Sequence, residues 1–169
     1  MSNPQKRFEY SRSNVLRGAI VYALGDCIAA FILGEFAWLR LLGMMLIGAT
    51  LYAFEIPNYF RWIDRQMSGK TPSLKVSLQR TALALLYFNP LWIARHLILI
   101  KLVSGNAHLI GWHFLSIAFW SFVVNIPVSL VANYVIQNKI SLQWRFLASA
   151  IFSGLMAVYY ALSELFFSS

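Results

Sequence analysis

Five long apolar runs, separated by short polar breaks, organise the chain. They cover about Val15 to Leu33, Trp38 to Phe60, Thr81 to Val103, Leu109 to Ile136 and Phe146 to Phe167. A helix needs about 20 apolar residues to cross the hydrocarbon core of a bilayer, and each run reaches or approaches that length. The pattern predicts an all-α fold: an integral membrane bundle of about five transmembrane helices. It forms a single membrane domain over residues 1–169, with a basic N-terminal segment over residues 1–14. The connections are short. Gly34 to Ala37 joins the first two runs, Ser104 to His108 the third and fourth, and Asn138 to Arg145 the last two. The longest link, Arg61 to Arg80, contains Ser68-Gly69-Lys70-Thr71-Pro72, and its Gly and Pro break any continuous helix. Leu74, Val76 and Leu78 predict a short interfacial segment before the third run.

Composition strengthens this picture. Of 169 residues, 59% are hydrophobic and only 12% charged, whereas a soluble domain carries roughly 25% charged residues. The mean hydropathy is +0.62. A net charge of +8 could suggest nucleic acid. The basic residues, however, lie between apolar runs, and no nucleic-acid-binding motif accompanies them, so nucleic acid is not an expected partner. Their placement instead predicts orientation. Lys6, Arg7, Arg12 and Arg17 precede the first run; Arg61, Arg65, Lys70, Lys75 and Arg80 follow the second; Lys139 and Arg145 follow the fourth. The alternate connections hold only Arg40 and Lys101. Eleven against two puts the N-terminus inside and favours an odd number of spans. Trp38 and Trp112 fall near the expected outer boundary, and Trp62 and Trp144 near the inner one, where indole is favoured. The single cysteine, Cys27, reads as a small apolar residue inside the first run. The polar N-terminal stretch is read as part of the mature protein and not as a cleaved leader, because the following run has span length and no cleavage site.

Ionisable groups inside apolar helices are costly and usually face the bundle interior or a wet cavity. The candidates are Asp26, Glu55, Arg95 and His96. Counting about 1.5 Å of rise per residue from the inner boundary places Asp26 roughly 17 Å deep and Arg95 roughly 21 Å deep. Opposite charges at similar depth predict an Asp26–Arg95 pair, either a register-fixing ion pair or part of a polar lining. Glu55 is expected to meet Arg17 or Arg61 near the inner boundary. His96 reads as a hydrogen-bonded packing residue or as a titratable gate. Pro57, Pro90 and Pro127 interrupt the runs as candidate helix kinks, two of them close to an asparagine, Asn89 and Asn125. Broken helices with polar side chains are how many transporters build solute sites. Gly18, Gly25 and Ala29 on the first run, and Gly43 and Gly48 on the second, predict close helix contact. No nucleophile–base set, phosphate loop or metal cluster is apparent. His108 and His113 lack acidic or cysteine partners, which argues against a metal site.

Several of these residues carry a family resemblance. Gly25-Asp26, then Tyr59-Phe60-Arg61-Trp62-Ile63-Asp64-Arg65 with Gly69, then Phe88-Asn89-Pro90 with Gly105, then Pro127 with Ala132-Asn133-Tyr134, and finally Arg145 with Tyr160-Ala161-Leu162-Ser163 occur in that order. Taken together the chain resembles the Mpv-seventeen and 22 kDa peroxisomal membrane protein family. The match spans about Val15 to Ser163. It departs where that family has glutamine after Gly-Asp, and Ile126 stands where its tryptophan precedes proline. The resemblance implies a role as a channel or in metabolite homeostasis of mitochondrial or peroxisomal membranes. Phe88 to Pro90 and Pro57 to Arg61 are also similar to segments of the four-span bacterial L-alanine exporter family.

The sequence therefore predicts a multi-pass membrane protein acting as a channel or carrier for ions or small metabolites. Its expected lining is Asp26, Asn89, Arg95, His96, Asn125 and Asn133. The alternative is a non-transporting structural subunit or assembly factor of a membrane complex; an enzyme acting on lipid ranks below both, for lack of a catalytic set. No enzymatic activity, cofactor or metal is expected. The expected partners are the lipid bilayer and a small solute or ion, with a homo-oligomer or a membrane-complex partner left open. The location expected is a bacterial inner membrane or a mitochondrial or peroxisomal membrane.

Overall fold

A computed structural model describes residues 8–167, with side chains through Tyr159. The expectations placed on Lys6 and Arg7, and on the side chains of Tyr160 to Ser163, lie outside what the structure describes. Every regular element among the described residues is helical. Helix α1 covers Arg12–Ile32, α2 Trp38–Ile47, α3 Ala53–Gln66, α4 Leu74–Tyr87, α5 Pro90–Val103, α6 His113–Lys139 and α7 Leu142–Phe167. A π-helical turn, Gly48–Tyr52, joins α2 to α3 without a break, and one 3₁₀ turn, Ala107–Leu109, precedes α6.

Local chemistry sets the helix ends. The Oγ of Ser11 accepts from the Asn14 amide to start α1, and the Oγ of Ser73 accepts from Val76 to start α4. Gly34, with φ of +69°, turns the chain between α1 and α2, a conformation that a side chain would strain. The break between α4 and α5 comes from Pro90, which cannot donate to the carbonyl four residues earlier. The Nδ2 of Asn89 takes up that Leu86 carbonyl at 2.9 Å, while its Oδ1 caps α5 by accepting from Trp92 at 3.0 Å. Asn89 thus repairs both cut helix ends.

Four helices among the described residues are long and apolar enough to cross a bilayer: Arg12–Ile32, Trp38–Gln66, Leu74–Val103 and His113–Lys139. The fifth expected run corresponds to α7, a 26-residue helix whose last side chains are not described. The expected boundaries shift where charged residues stay helical. The second run continues through Arg61, Asp64 and Arg65 to Gln66, and the third begins at Leu74 rather than Thr81. Leu74, Val76 and Leu78 thus open α4 instead of forming a separate segment. Of the three prolines, only Pro90 sits at a break; Pro57 lies inside α3 and Pro127 inside the uninterrupted α6.

Helix α1 packs on α7, α2 and the π turn. Glycines let the backbones meet. A Cβ on Gly18 would lie 2.1 Å from the carbonyl oxygen of Gly48, and one on Gly25 would lie 2.7 Å from the Cα of Gly154. Gly43 packs against Val103. Tyr22, Tyr52, Ile56, Phe60, Ile136 and Phe146 form the buried core. The surface is inverted relative to a soluble protein. Val124, Val128, Val131 and Val135 on α6, and Leu16, Ile20, Leu24 and Phe31 on α1, are exposed, whereas Asp26, Arg40, Asn133 and Gln137 are buried. This is the arrangement expected when hydrocarbon is the solvent, and it is compatible with an integral membrane protein.

Candidate functional site

Asp26, one α1 turn beyond Tyr22, is the least exposed charged residue among those described. Its partner is Arg40, from the first turn of α2. Arg40 donates through Nε to Oδ2 at 2.8 Å and through Nη2 to Oδ1 at 2.7 Å, a two-pronged pair with both residues buried. Its remaining nitrogen reaches Glu35 at 3.1 Å. This overturns the expected Asp26–Arg95 pair. The tight Gly34 turn brings the start of α2 back beside the last two turns of α1, within reach of an arginine side chain. Arg40 therefore belongs to the interior and not to an outer connection.

Arg95 has a different carboxylate. It binds both oxygens of Glu55, at 2.9 and 2.7 Å, and the Tyr87 hydroxyl donates to Glu55 at 2.9 Å. The expected contacts of Glu55 with Arg17 or Arg61 are not formed. Arg17 donates to the Gln143 carbonyl and lies over the Trp144 ring, and Arg61 pairs with Glu9. Glu9 is held by Asn58, which receives the Glu9 amide and donates to its carbonyl. At the same end, Asp64 pairs with Arg80 and Arg145, and Arg145 also donates to the Ile140 carbonyl that ends α6.

His96 follows Arg95 on α5 and faces another way. Its Nδ1 lies 2.7 Å from the Tyr52 hydroxyl, and its ring stacks on Trp92 at 5.5 Å. Tyr52 ends the π turn, which inserts an extra residue into the helix and turns the following face; such turns recur at functional sites. Beside His96 opens a cavity of about 490 Å³, within the usual range of small-molecule sites. Asp26 and Arg40 border one side, and Trp92 and His96 another. Asn125 and Asn133 line α6, and Ser149 and Ser153 line α7.

The structure thus brings four of the six expected lining residues, Asp26, His96, Asn125 and Asn133, around one cavity, and leaves two outside it. Asn89 caps a helix, and Arg95 belongs to the Glu55 pair. Residues missed in the sequence add to the polar part of the lining, Arg40, Ser121, Ser129, Ser149 and Ser153, while the larger part of the wall is apolar, with Leu33, Phe88, Trp92, Ile100 and Phe152 among it. One signal could have found the α6 members. Ser121, Asn125, Ser129, Asn133 and Gln137 recur every fourth residue, which places them along one slowly winding face. Two amides on this face close locally, Asn125 onto the Ser121 carbonyl at 2.7 Å and Asn133 onto the Ser129 carbonyl at 2.9 Å. The Oδ1 of Asn133 and both polar atoms of Gln137 are buried without a hydrogen-bond partner. No group of three or more His, Cys, Asp or Glu side chains able to hold a metal occurs among the described residues.

Comparison of the chain with protein families, with curated proteins and with solved structures finds no match.

Proposed function

We propose that this chain is a five-span membrane protein that passes small polar solutes through the cavity between α1, α5, α6 and α7. The observation that carries the reading is the cavity itself. In this partly open space of about 490 Å³ an ion pair, an imidazole, two amides and several hydroxyls gather within a mostly apolar wall, and such a cluster is expensive in an apolar bundle unless it receives something polar. Phe88 and Trp92 of the cavity wall flank the Pro90 break, where packing can rearrange at modest cost. In this reading the Asp26–Arg40 pair holds α1 and α2 in register, while the α6 and α7 polar faces exchange hydrogen bonds with the solute. Passage requires no covalent step. The loop charges put the N-terminus and the Asp64 cluster inside, and the C-terminus outside. The family resemblance, with its implied channel or metabolite role in an organellar membrane, is part of this proposal.

A non-transporting subunit is the second reading. It is favoured by the two-pronged Asp26–Arg40 pair, which by itself would serve to fix one packing. Flux through purified protein in liposomes separates the two. Transport predicts solute entry above that of protein-free liposomes, and a fall on Asn125→Leu with the thermal midpoint kept. Entry no faster than in protein-free liposomes, for ions and neutral solutes alike, would favour the subunit.

A further inference from the structure

The cavity does not account for the whole polar face of α6. Ser121, Asn125, Ser129 and Asn133 line it, but the four-residue row continues to Gln137, one turn closer to the Asp64 cluster. Gln137 has 0% exposure, and neither its Oε1 nor its Nε2 has a hydrogen-bond partner. Leaving both ends of an amide unpaired in an apolar interior is costly, and a packing role is met better by leucine or methionine. Helix α7 carries a matching row, Arg145, Ser149 and Ser153. The two helices are joined by only Ile140 and Ser141, so they run antiparallel. With about 1.5 Å of rise per residue, Ser129 faces the level of Ser153, Asn133 that of Ser149 and Gln137 that of Arg145. A seam of neutral polar groups therefore descends from the cavity to Arg145, which holds Asp64 at the inner end.

The chemistry of this seam is nearly free of unpaired charge. The one carboxylate and the one guanidinium of the cavity, Asp26 and Arg40, bind each other. The other polar groups, His96 apart, are hydroxyls and amides, each able to donate and accept. The rest of the wall is apolar, Leu33, Phe88, Ile100 and Phe152 among it, so it can hold the polar groups of an uncharged solute on one side and its carbon skeleton on the other, but it leaves a bare ion without a counter-charge.

We infer that the solute class is a small uncharged molecule carrying hydroxyl or amide groups, and that Gln137, one turn beyond the lining, is the next hydrogen-bonding residue on its way to the inner end. This rests on the transport reading above, and the test separates the two. Purified protein in liposomes is challenged with glycerol and urea, followed by light scattering, and with potassium chloride, followed by conductance. The wild type should admit glycerol or urea faster than protein-free liposomes and leave salt conductance at background. Gln137→Met, which keeps the volume and removes both unpaired atoms, should melt no lower than the wild type yet slow entry by about tenfold, the factor for one hydrogen bond lost at the barrier. Gln137→Asn should restore part of the rate. Salt conductance without neutral entry would overturn the solute class while leaving transport standing. Neutral entry unchanged in Gln137→Met would overturn the role of Gln137. No flux of either kind would overturn the solute class together with the transport reading.

Discussion

Two ion pairs cross this bundle in opposite surroundings. Asp26–Arg40 is sealed, with side-chain exposures of 7% and 9%, and borders the central cavity. Glu55–Arg95 is half open, at 28% and 37%, and Glu55 faces a separate crevice of about 660 Å³ lined by Phe8, Tyr59, Trp62 and Tyr87. Both are two-pronged, so geometry alone does not distinguish them. Surroundings do. Breaking the sealed pair strands a charge that is almost wholly covered and meets water only across the cavity, whereas an open pair can trade its partner for water or a lipid headgroup. The sealed pair is therefore the structural anchor of the cavity, and the open pair is the more readily replaced.

That comparison can be broken by mutation. Arg40→Met should cost about 3–5 kcal/mol, because it strands Asp26. The double variant with Asp26→Leu should recover most of that loss, as read by unfolding in detergent. A single-variant loss no greater than that of Glu55→Gln would remove the distinction. A smaller cost is expected from Gly25→Val. Its new methyls must displace the Gly154 backbone, and overpacking of this kind costs about 1–3 kcal/mol. An unchanged midpoint would show that α1 and α7 do not approach as closely as Gly25 and Gly154 require. Glu55→Gln should cost no more than about 1 kcal/mol, with a double-mutant cycle against Arg95→Gln giving a coupling of the same order. The smallest effect belongs to Asn89→Ala. Loss of one cap costs about 1 kcal/mol or less, and solute flux should be unaffected, since Asn89 caps α5 and does not line the cavity. A flux defect at unchanged stability would return Asn89 to the solute path.

Much of the helical layout was legible in the sequence, and the pairing of its charges was not. Long apolar runs report helices directly, and Gly34 and Pro90 mark breaks by backbone chemistry that needs no tertiary context. Direction is different. His96, the next residue on α5, borders the same cavity as Asp26, so the depth of the Asp26–Arg95 expectation was near the mark, but Arg95 points away from that cavity to Glu55 on α3, and depth counted along a helix does not say which neighbour a side chain faces. Arg40 was assigned to a connection because it lies close to the start of a helix, and nothing local announces that its side chain folds inward. The cavity was legible in part. Asn125 and Asn133 stood out because asparagine is conspicuous in an apolar run. Their serine neighbours did not, because an isolated serine in such a helix is ordinary and usually bonds to its own backbone. Only the four-residue recurrence distinguishes them, and it extends to Gln137.

A cavity that is a wet solute site inside an apolar bundle must admit a water-soluble reagent to its lining, which cysteine accessibility reads. In a Cys27→Ala background, Asn125→Cys and the neighbouring Val124→Cys are labelled in liposomes with a membrane-impermeant thiol reagent. Residue 125 lines the cavity, and Val124 is exposed on the apolar outer face. The account predicts that the cysteine at 125 reacts and the one at 124 does not, with the reaction at 125 slowed by a transported solute. Protection of both until the protein is unfolded, or reaction at 124 alone, would contradict it.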